Sequence, residues 1–514
     1  MYSIFLLEVF VYGTSNQRLP NGQKHLNIKE GNKRVAKVRS SSEWGDLCPV
    51  ECECKVSSAP DISTTRWSFE NNTIKTAICV FRNESLFSIL ALPQDVESIT
   101  ILQATDDTGL TINRNSLKAF KQLKSIDFQG SLGNASISIS NDIFHNLDDL
   151  RHLSLQRVSL AGAEKAFSKL ATLEVLHVIH CDIGYLKWEM LDGMKNLREL
   201  YLLQSGIKEL YGFAFYGTPE LRRLFLSHND LFSVEADAFV GLLKLEYLDL
   251  SNNHIEHLSG LTFPPLPHLQ WLDLKHNPIK VIFPHCFQFL NGTQHLTLGH
   301  KKQPVHLMKF SFRGLYSLLY LHIPNIDNDA LFEHMFYDLK SLKHMNLRGR
   351  VKLINNRAFN GAHKVLTKLV LRDCKLEKLF PDSLYGLENL IFLDLSENQL
   401  QSIPDYAFNH LKKIENILLN DNHLKQVSSG LFLPLQTLKA TSLYNNQWNC
   451  TCNMRHWKSD IIMSKYIPRE VCQIDNCTEI EILEDVTDFT PRCVEPKSRK
   501  GESVFHVVKG LDCQ

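Results

Sequence analysis

The sequence predicts an α/β solenoid, an array of short coils whose strands line up as one concave parallel sheet. Three observations predict it: leucine is concentrated in one region, it recurs there at a fixed step, and cysteines flank the region at both ends. Of 78 leucines in 514 residues, 68 fall between positions 101 and 450, so the enrichment belongs to a region and not to the whole chain. Length alone would divide a chain of this size into three or four domains, a prior that a repeat array overrides.

Aligned on Leu-x-x-Leu-x-Leu, the region yields fourteen coils that begin at Leu123, Leu150, Leu173, Leu197, Leu221, Leu245, Leu269, Thr293, Leu318, Leu342, Leu366, Leu390, Ile414 and Leu438. From Leu173 onward the step is 24 residues, with a single step of 25 between Thr293 and Leu318. A weaker unit, Val96 to Ile101, precedes them. Strand side chains alternate, so the leucines of Leu-x-Leu point inward and the residues between them point out. A phenylalanine about six residues before the next coil (Phe215, Phe239, Phe263, Phe287, Phe312, Phe336, Phe408 and Phe432) predicts an apolar spine opposite the strands. One coil cannot bury both sets alone, whereas stacked neighbours can. Fourteen strands at ~4.8 Å spacing give an inner arc of roughly 65 Å, the scale of a protein ligand.

Eight positions after the first leucine stands asparagine in six coils, at Asn229, Asn253, Asn277, Asn398, Asn422 and Asn446, and cysteine in two, Cys181 and Cys374. An amide carries donors and an acceptor, so stacked asparagines can satisfy the backbone where each coil turns. A small buried thiol fits the same slot. Coils eight to ten break this ladder with Lys301, Ile326 and Arg350, which predicts an irregular edge or a change of curvature.

The unit at residues 245–266, LEYLDLSNNHIEHLSGLTFPPL, resembles the typical class of extracellular leucine-rich repeats found in Toll-like receptor ectodomains, Slit-like and chaoptin-like proteins and the acid-labile subunit family. The resemblance covers about 350 residues and implies a leucine-rich-repeat horseshoe. It is specific for fold and weak for function, because one fold hosts many sites. Four cysteines, Cys48, Cys52, Cys54 and Cys79, precede the array, and six, Cys450, Cys452, Cys472, Cys477, Cys493 and Cys513, follow it. Cys181, Cys286 and Cys374 lie inside it and read as reduced, buried thiols. A solenoid exposes its core at both ends, and cysteine-stapled caps are one way to cover it. The resemblance implies that Cys48 pairs with Cys54, Cys52 with Cys79, Cys450 with Cys472 and Cys452 with Cys493, leaving Cys477 for Cys513. The gap from Cys54 to Cys79 is longer than usual for the family and the second cap has an extra pair, so connectivity stays open at this point. Zinc binding is disfavoured because CxxC pairs are absent.

The domain order read from the sequence is a signal peptide at 1–14, a basic arm at 15–46, an N-terminal cysteine cap at 47–95, the array at 96–446, a C-terminal cysteine cap at 447–494 and a tail at 495–514. The signal segment is apolar and short, with Val11 and Gly13 before the cleavage position, yet it lacks a basic start and carries Glu8. The arm, with Lys24, Lys29, Lys33, Arg34, Lys37 and Arg39, reads as a solvated disordered linker. No run of eighteen apolar residues follows the second cap, so no membrane span is expected in this chain. The expected location is secreted or extracellular, or a cell-surface ectodomain cut short after Gln514. Sequons at Asn83, Asn134 and Asn291 are the better glycosylation candidates.

The 56 basic residues balance the 56 acidic ones, which argues against nucleic acid as a bulk partner. Motifs for acyl transfer, phosphate binding or metalloprotease chemistry are absent, so neither an enzyme nor a cofactor is expected. A partner would meet the outward strand positions, the third, fifth, seventh and eighth of each coil. Nine of the 22 histidines occupy them (His152, His177, His180, His228, His276, His295, His300, His322 and His344), where even spreading would place about two. Tyr201, Phe225, Tyr247, Trp271 and Tyr320 project from the same face in coils four to nine. Exposed aromatic anchors are what interface hot spots use, so these five with His276, His295, His300, His322 and His344 form the predicted partner-binding set. Exposed imidazoles would also become cationic together near pH 6.5, although histidine before the ladder asparagine is a common filler in such repeats. Toward the far end the face turns acidic, with Asp373, Asp394, Glu397 and Asp421. The expected partner is a protein ligand or receptor, with a second copy of the chain also admitted. The alternative is a secreted matrix or carrier protein whose solenoid is mainly structural.

Overall fold

The computed structural model describes residues 48–511 apart from 59–72, 82–86, 105–108, 132–136, 164, 169, 236, 261, 433, 455–466, 474–475 and 483–489. The expected signal segment, the basic arm, Asn83, Asn134 and Cys513 lie outside the described residues. Those described belong to one compact unit, Trp44–Gln514.

The unit is a solenoid of parallel strands. Cys52–Ser58 and Thr73–Phe81 form an antiparallel pair. From Thr73–Phe81 onward every strand of the main sheet pairs in parallel with the strand one coil later. The weak unit at Val96 supplies the strand Ser98–Gln103, in register with Ser125–Gln129. Inward leucines such as Leu224, Leu248 and Leu272 are fully buried. The phenylalanine spine is continuous from Phe215 to Phe359, with centroids 5.9–6.4 Å apart.

The asparagine ladder works as a donor-acceptor bridge between coils. Asn277 Nδ2 donates to Leu250 O of the preceding coil at 2.8 Å and to Leu274 O of its own at 3.1 Å. Its Oδ1 accepts from Ile255 N at 3.1 Å. Cysteine reproduces the donor half, since Cys374 Sγ donates to Leu347 O at 3.1 Å. Ser205 takes the same slot in coil four, donating to Val178 O at 3.2 Å.

Coils eight to ten are built differently because neither lysine nor arginine can place its charge in that slot. Tyr320–Leu331 and His344–Ile354 become long strands, paired in parallel with a register shift between Ile323 and Ile326. The ladder moves to Asn328, buried, whose Nδ2 donates to Leu307 O at 2.8 Å and whose Oδ1 accepts from Leu307 N at 3.0 Å. Gly349 makes this approach feasible: its φ is 117°, and a Cβ there would lie 2.4 Å from Ile326 O. Gly349→Ala is expected to lose about 2–3 kcal/mol of stability, read as a shifted denaturant midpoint. Gly260→Ala is the control, since a Cβ there meets nothing closer than 3.4 Å.

Disulfides close both ends, Cys48–Cys54 and Cys52–Cys79 at one and Cys450–Cys493 at the other. The last corrects the pairing of Cys450 with Cys472 and of Cys452 with Cys493. Trp448–Asn449 pairs in parallel with Cys493–Glu495, and Cys450 N donates to Glu495 O, which sets the Cys450 and Cys493 Cα atoms 5.8 Å apart. Cys452 is also disulfide-bonded. Cys472 and Cys477 stand opposite each other in the register of an antiparallel pair, Ile467–Gln473 with Asn476–Ile482. Within the segment read as a tail, the helix Val504–Lys509 buries Val504, Val507 and Val508 in the core. Cys181, Cys286 and Cys374 are free and buried.

Candidate binding face

The outward positions of the concave sheet carry a row of rings in mutual contact from coil two to coil ten. Starting at His152, the centroids step to His177 at 5.2 Å, Tyr201 at 4.3 Å, Phe225 at 4.3 Å and Tyr247 at 4.9 Å. They continue to Trp271 at 6.0 Å, His295 at 4.3 Å, Tyr320 at 5.1 Å and His344 at 4.9 Å. Parallel in-register pairing places side chains of one column a strand apart, the right distance for rings to stack. The row is not one column. His152 stands at the third position, His177, Tyr201 and Phe225 share the fifth, and Tyr247 to His344 share the third again, so the steps from His152 to His177 and from Phe225 to Tyr247 cross between columns.

Seven of the ten predicted residues therefore meet: Tyr201, Phe225, Tyr247, Trp271, His295, Tyr320 and His344. The other three are placed elsewhere on the face. His322 sits in the next column opposite Thr297, while His276 and His300 pack edge to face at 6.2 Å on the margin. Sequence reasoning placed His152 and His177 on the face without seeing that they extend the row, because diagonal contact depends on sheet geometry. It also missed exposed aromatics elsewhere on the solenoid, notably Tyr185 with Tyr211 at 6.2 Å and Phe213 with Tyr216 at 6.1 Å. No strand alternation marks those positions.

The rings are not free anchors, contrary to the expectation from alternation. Tyr201, Phe225, Tyr247, Trp271 and Tyr320 are each half-buried, because each ring covers the next. A partner would meet ring edges and the polar atoms between them. Tyr201 donates its hydroxyl to Glu199 Oε2 at 3.1 Å, and burial raises the Glu199 carboxyl above its usual range. Asp249 is likewise raised, by burial and by neighbouring Asp273. Asp273 is held by Lys275 Nζ at 3.1 Å and by the Thr297 hydroxyl at 2.6 Å.

Burial also alters the histidines. His152 falls to about 4 and His177 to about 3, the latter with a further push from His152, and His295 and His276 are lowered as well. Joint protonation near pH 6.5 does not extend to His152 and His177, which burial keeps neutral well below that pH. The histidine enrichment has a partial backbone cause. His180, His228 and His276 have φ of 54°, 58° and 60°, the left-handed region in which asparagine, aspartate and histidine are enriched. Asn252, Asp373, Asp421 and Asn445 occupy equivalent positions in other coils with φ from 49° to 55°.

The acidic end is largely committed to its own scaffold. Asp394 is buried and accepts from Ser396 N at 2.9 Å and Ser396 Oγ at 2.5 Å, Glu397 pairs with Arg372, and Asp421 accepts from Asn445 Nδ2 at 2.9 Å. Among the described residues no three His, Cys, Asp or Glu side chains come together as a metal site, and no helix is long and apolar enough to cross a membrane.

Comparison with known proteins agrees with this architecture. The leucine rich repeat family profile matches residues 195–255, 244–302 and 364–424, and the BspA type leucine rich repeat region matches 80–222. Trophoblast glycoprotein of Macaca fascicularis is 29% identical over 172 residues, 33% of this chain and 39% of that protein. CD180 antigen of Mus musculus is 27% identical over 164 residues, 31% of this chain and 24% of that protein. Among solved structures, the TLR13–ssRNA13 complex aligns with a TM-score of 0.56 and 25% identity, over 68% of this chain and 49% of that one. Each match spans less than half of the other protein.

Proposed function

We propose that this chain, a leucine-rich-repeat protein stapled by disulfides near both ends, binds a protein ligand outside the cell through the ring-lined stretch of its concave face. The observation that carries the reading is the unbroken ring row from His152 to His344. Rings that brace one another are already ordered, so a partner that covers their edges loses little further side-chain entropy. Tyrosine and tryptophan are also the residues that concentrate binding energy at interface centres. The role is recognition, as a receptor, adhesion or signalling component, and not catalysis. Stapled ends suit an oxidising compartment, and of the three better glycosylation candidates Asn291, exposed on a turn, is the one that falls within the described residues.

The ring row also has a purely structural use, as packing that stiffens the sheet. Immobilised wild-type protein and the Trp271→Ala and Tyr247→Ala variants, exposed to the extracellular fluid of the source tissue, separate the two. Binding through the row predicts at least tenfold weaker capture of the same partner by each folded variant. Equal capture by both would leave the solenoid as a spacer or carrier.

A further inference from the structure

The neutral chain carries an acid-free band. Residues 274–326 contain no Asp or Glu, six Lys or Arg and six His, whereas 56 carboxylates spread evenly over 514 residues would place about six there. The band is coils seven and eight with the first strand residues of coil nine. Two of its cations are already neutralised, Lys275 by Asp273 at 3.1 Å and Lys280 by Glu256 at 2.6 Å. Lys301, Lys302, Lys309 and Arg313 are exposed and have no carboxylate partner among the described residues. Asp327 and Asp329, the first carboxylates after the band, are engaged by Arg350.

Coil eight carries all four charges, in two short stretches joined by one strand. Lys301 falls at the ladder position, which cannot take a charge, so residues 301–303 leave the coil path as a bend and display Lys301 and Lys302. The strand His306–Leu307 leads from there to the turn that carries Lys309 and Arg313. Lys309 Nζ lies 5.1 Å and Arg313 Cζ 6.0 Å from the Phe310 ring centroid, so one ring holds both cations together. Four exposed cations along one coil, none of them ion-paired among the described residues, make a track for a linear polyanion; Asp338 of the next coil, which reaches this turn, accepts from Gly314 N at 3.3 Å.

We infer that the exposed surface of coil eight that carries Lys301, Lys302, Lys309 and Arg313 binds a sulfated polysaccharide, separately from any protein bound on the ring face. Charge complementarity gives the polyanion, and the choice of glycan rests on the extracellular location proposed above, where sulfated glycans, not nucleic acids, are the polyanions at hand.

The test uses the full chain and heparin as probe, with affinity measured across a salt series. Three proteins are compared: wild type, the variant Lys301→Glu/Lys302→Glu/Lys309→Glu/Arg313→Glu, and a charge-matched control reversing the exposed Lys118, Lys121, Lys165 and Lys195. The expected result is a steep salt dependence for wild type, from release of counterions, with at least tenfold weaker binding and a shallower salt slope for the coil-eight variant. The control changes less than twofold. Unaltered heparin binding by the coil-eight variant, or an equal loss in the control, overturns the assignment. Tighter binding of polyuridylic acid than of heparin at equal salt overturns the glycan in favour of single-stranded RNA. Failure of this test leaves the ring-face reading intact, since none of the four cations lies in the ring row.

Discussion

Asn277→Ala lowers the stability of the array by about 3–5 kcal/mol, the expected cost of stranding several buried backbone groups at once. The side chain is fully buried and bonds three carbonyls and one amide in two successive coils. Alanine fills neither role, and water has no access to the slot. Asn277→Cys is expected to cost about half as much, because a thiol in the same slot still donates to the carbonyl of the coil before, as Cys374 does. Denaturant unfolding of the two variants beside wild type checks both figures. A loss below about 1 kcal/mol for alanine would mean that the ladder is a consequence of coil stacking and not one of its causes.

Acidification from pH 7.4 to 5.0 destabilises the protein, with His152 and His177 contributing about 2 kcal/mol each. Both imidazoles titrate lower in the fold than in the unfolded chain, at about 4 and about 3. Between the unfolded value near 6.5 and these folded values the unfolded chain binds more protons, so stability falls as pH falls through that window. Above pH 6.5 the contribution is fully present. Asp127 and Glu199, raised by burial, act in the opposite sense near their own titration and blunt the effect at the acid end. His177→Phe keeps a ring between His152 and Tyr201 but removes one titrating group. Its midpoint should drop by roughly half as much as that of wild type over the same interval. An identical pH dependence in the variant would assign the acid sensitivity to other groups.

The coil phase was readable because leucine spacing, phenylalanine spacing and the asparagine slot each report the same 24-residue step independently. Three periodic signals that agree leave one architecture. What escaped was whatever depends on two coils at once. The ladder's move from Ile326 to Asn328 follows from a register shift in the long strand pair, and no local pattern announces it. The ring row was half visible: its members stood at outward positions, but their half-burial comes from the neighbouring ring, and the crossing at Phe225–Tyr247 comes from sheet geometry. The histidine excess looks from sequence like a property of the face, but at His180, His228 and His276 it belongs to the backbone, which turns left-handed just before the ladder slot. Cys450 was assigned by family habit, whereas pairing beside Trp448 decides its bond.

The phenylalanine spine sets a shape as well as a core. Its rings repeat every 5.9–6.4 Å, whereas parallel strands repeat every ~4.8 Å. Each coil is therefore a wedge, thicker at the ring than at the strand, and a difference of roughly 1.3 Å across a layer ~10 Å deep turns successive coils by about 7°. The tilt comes from the size of one outer side chain, so exchanging rings for leucines along the spine would flatten the arc without touching a residue that a ligand meets. Curvature of the binding surface is in this sense written on the side facing away from it.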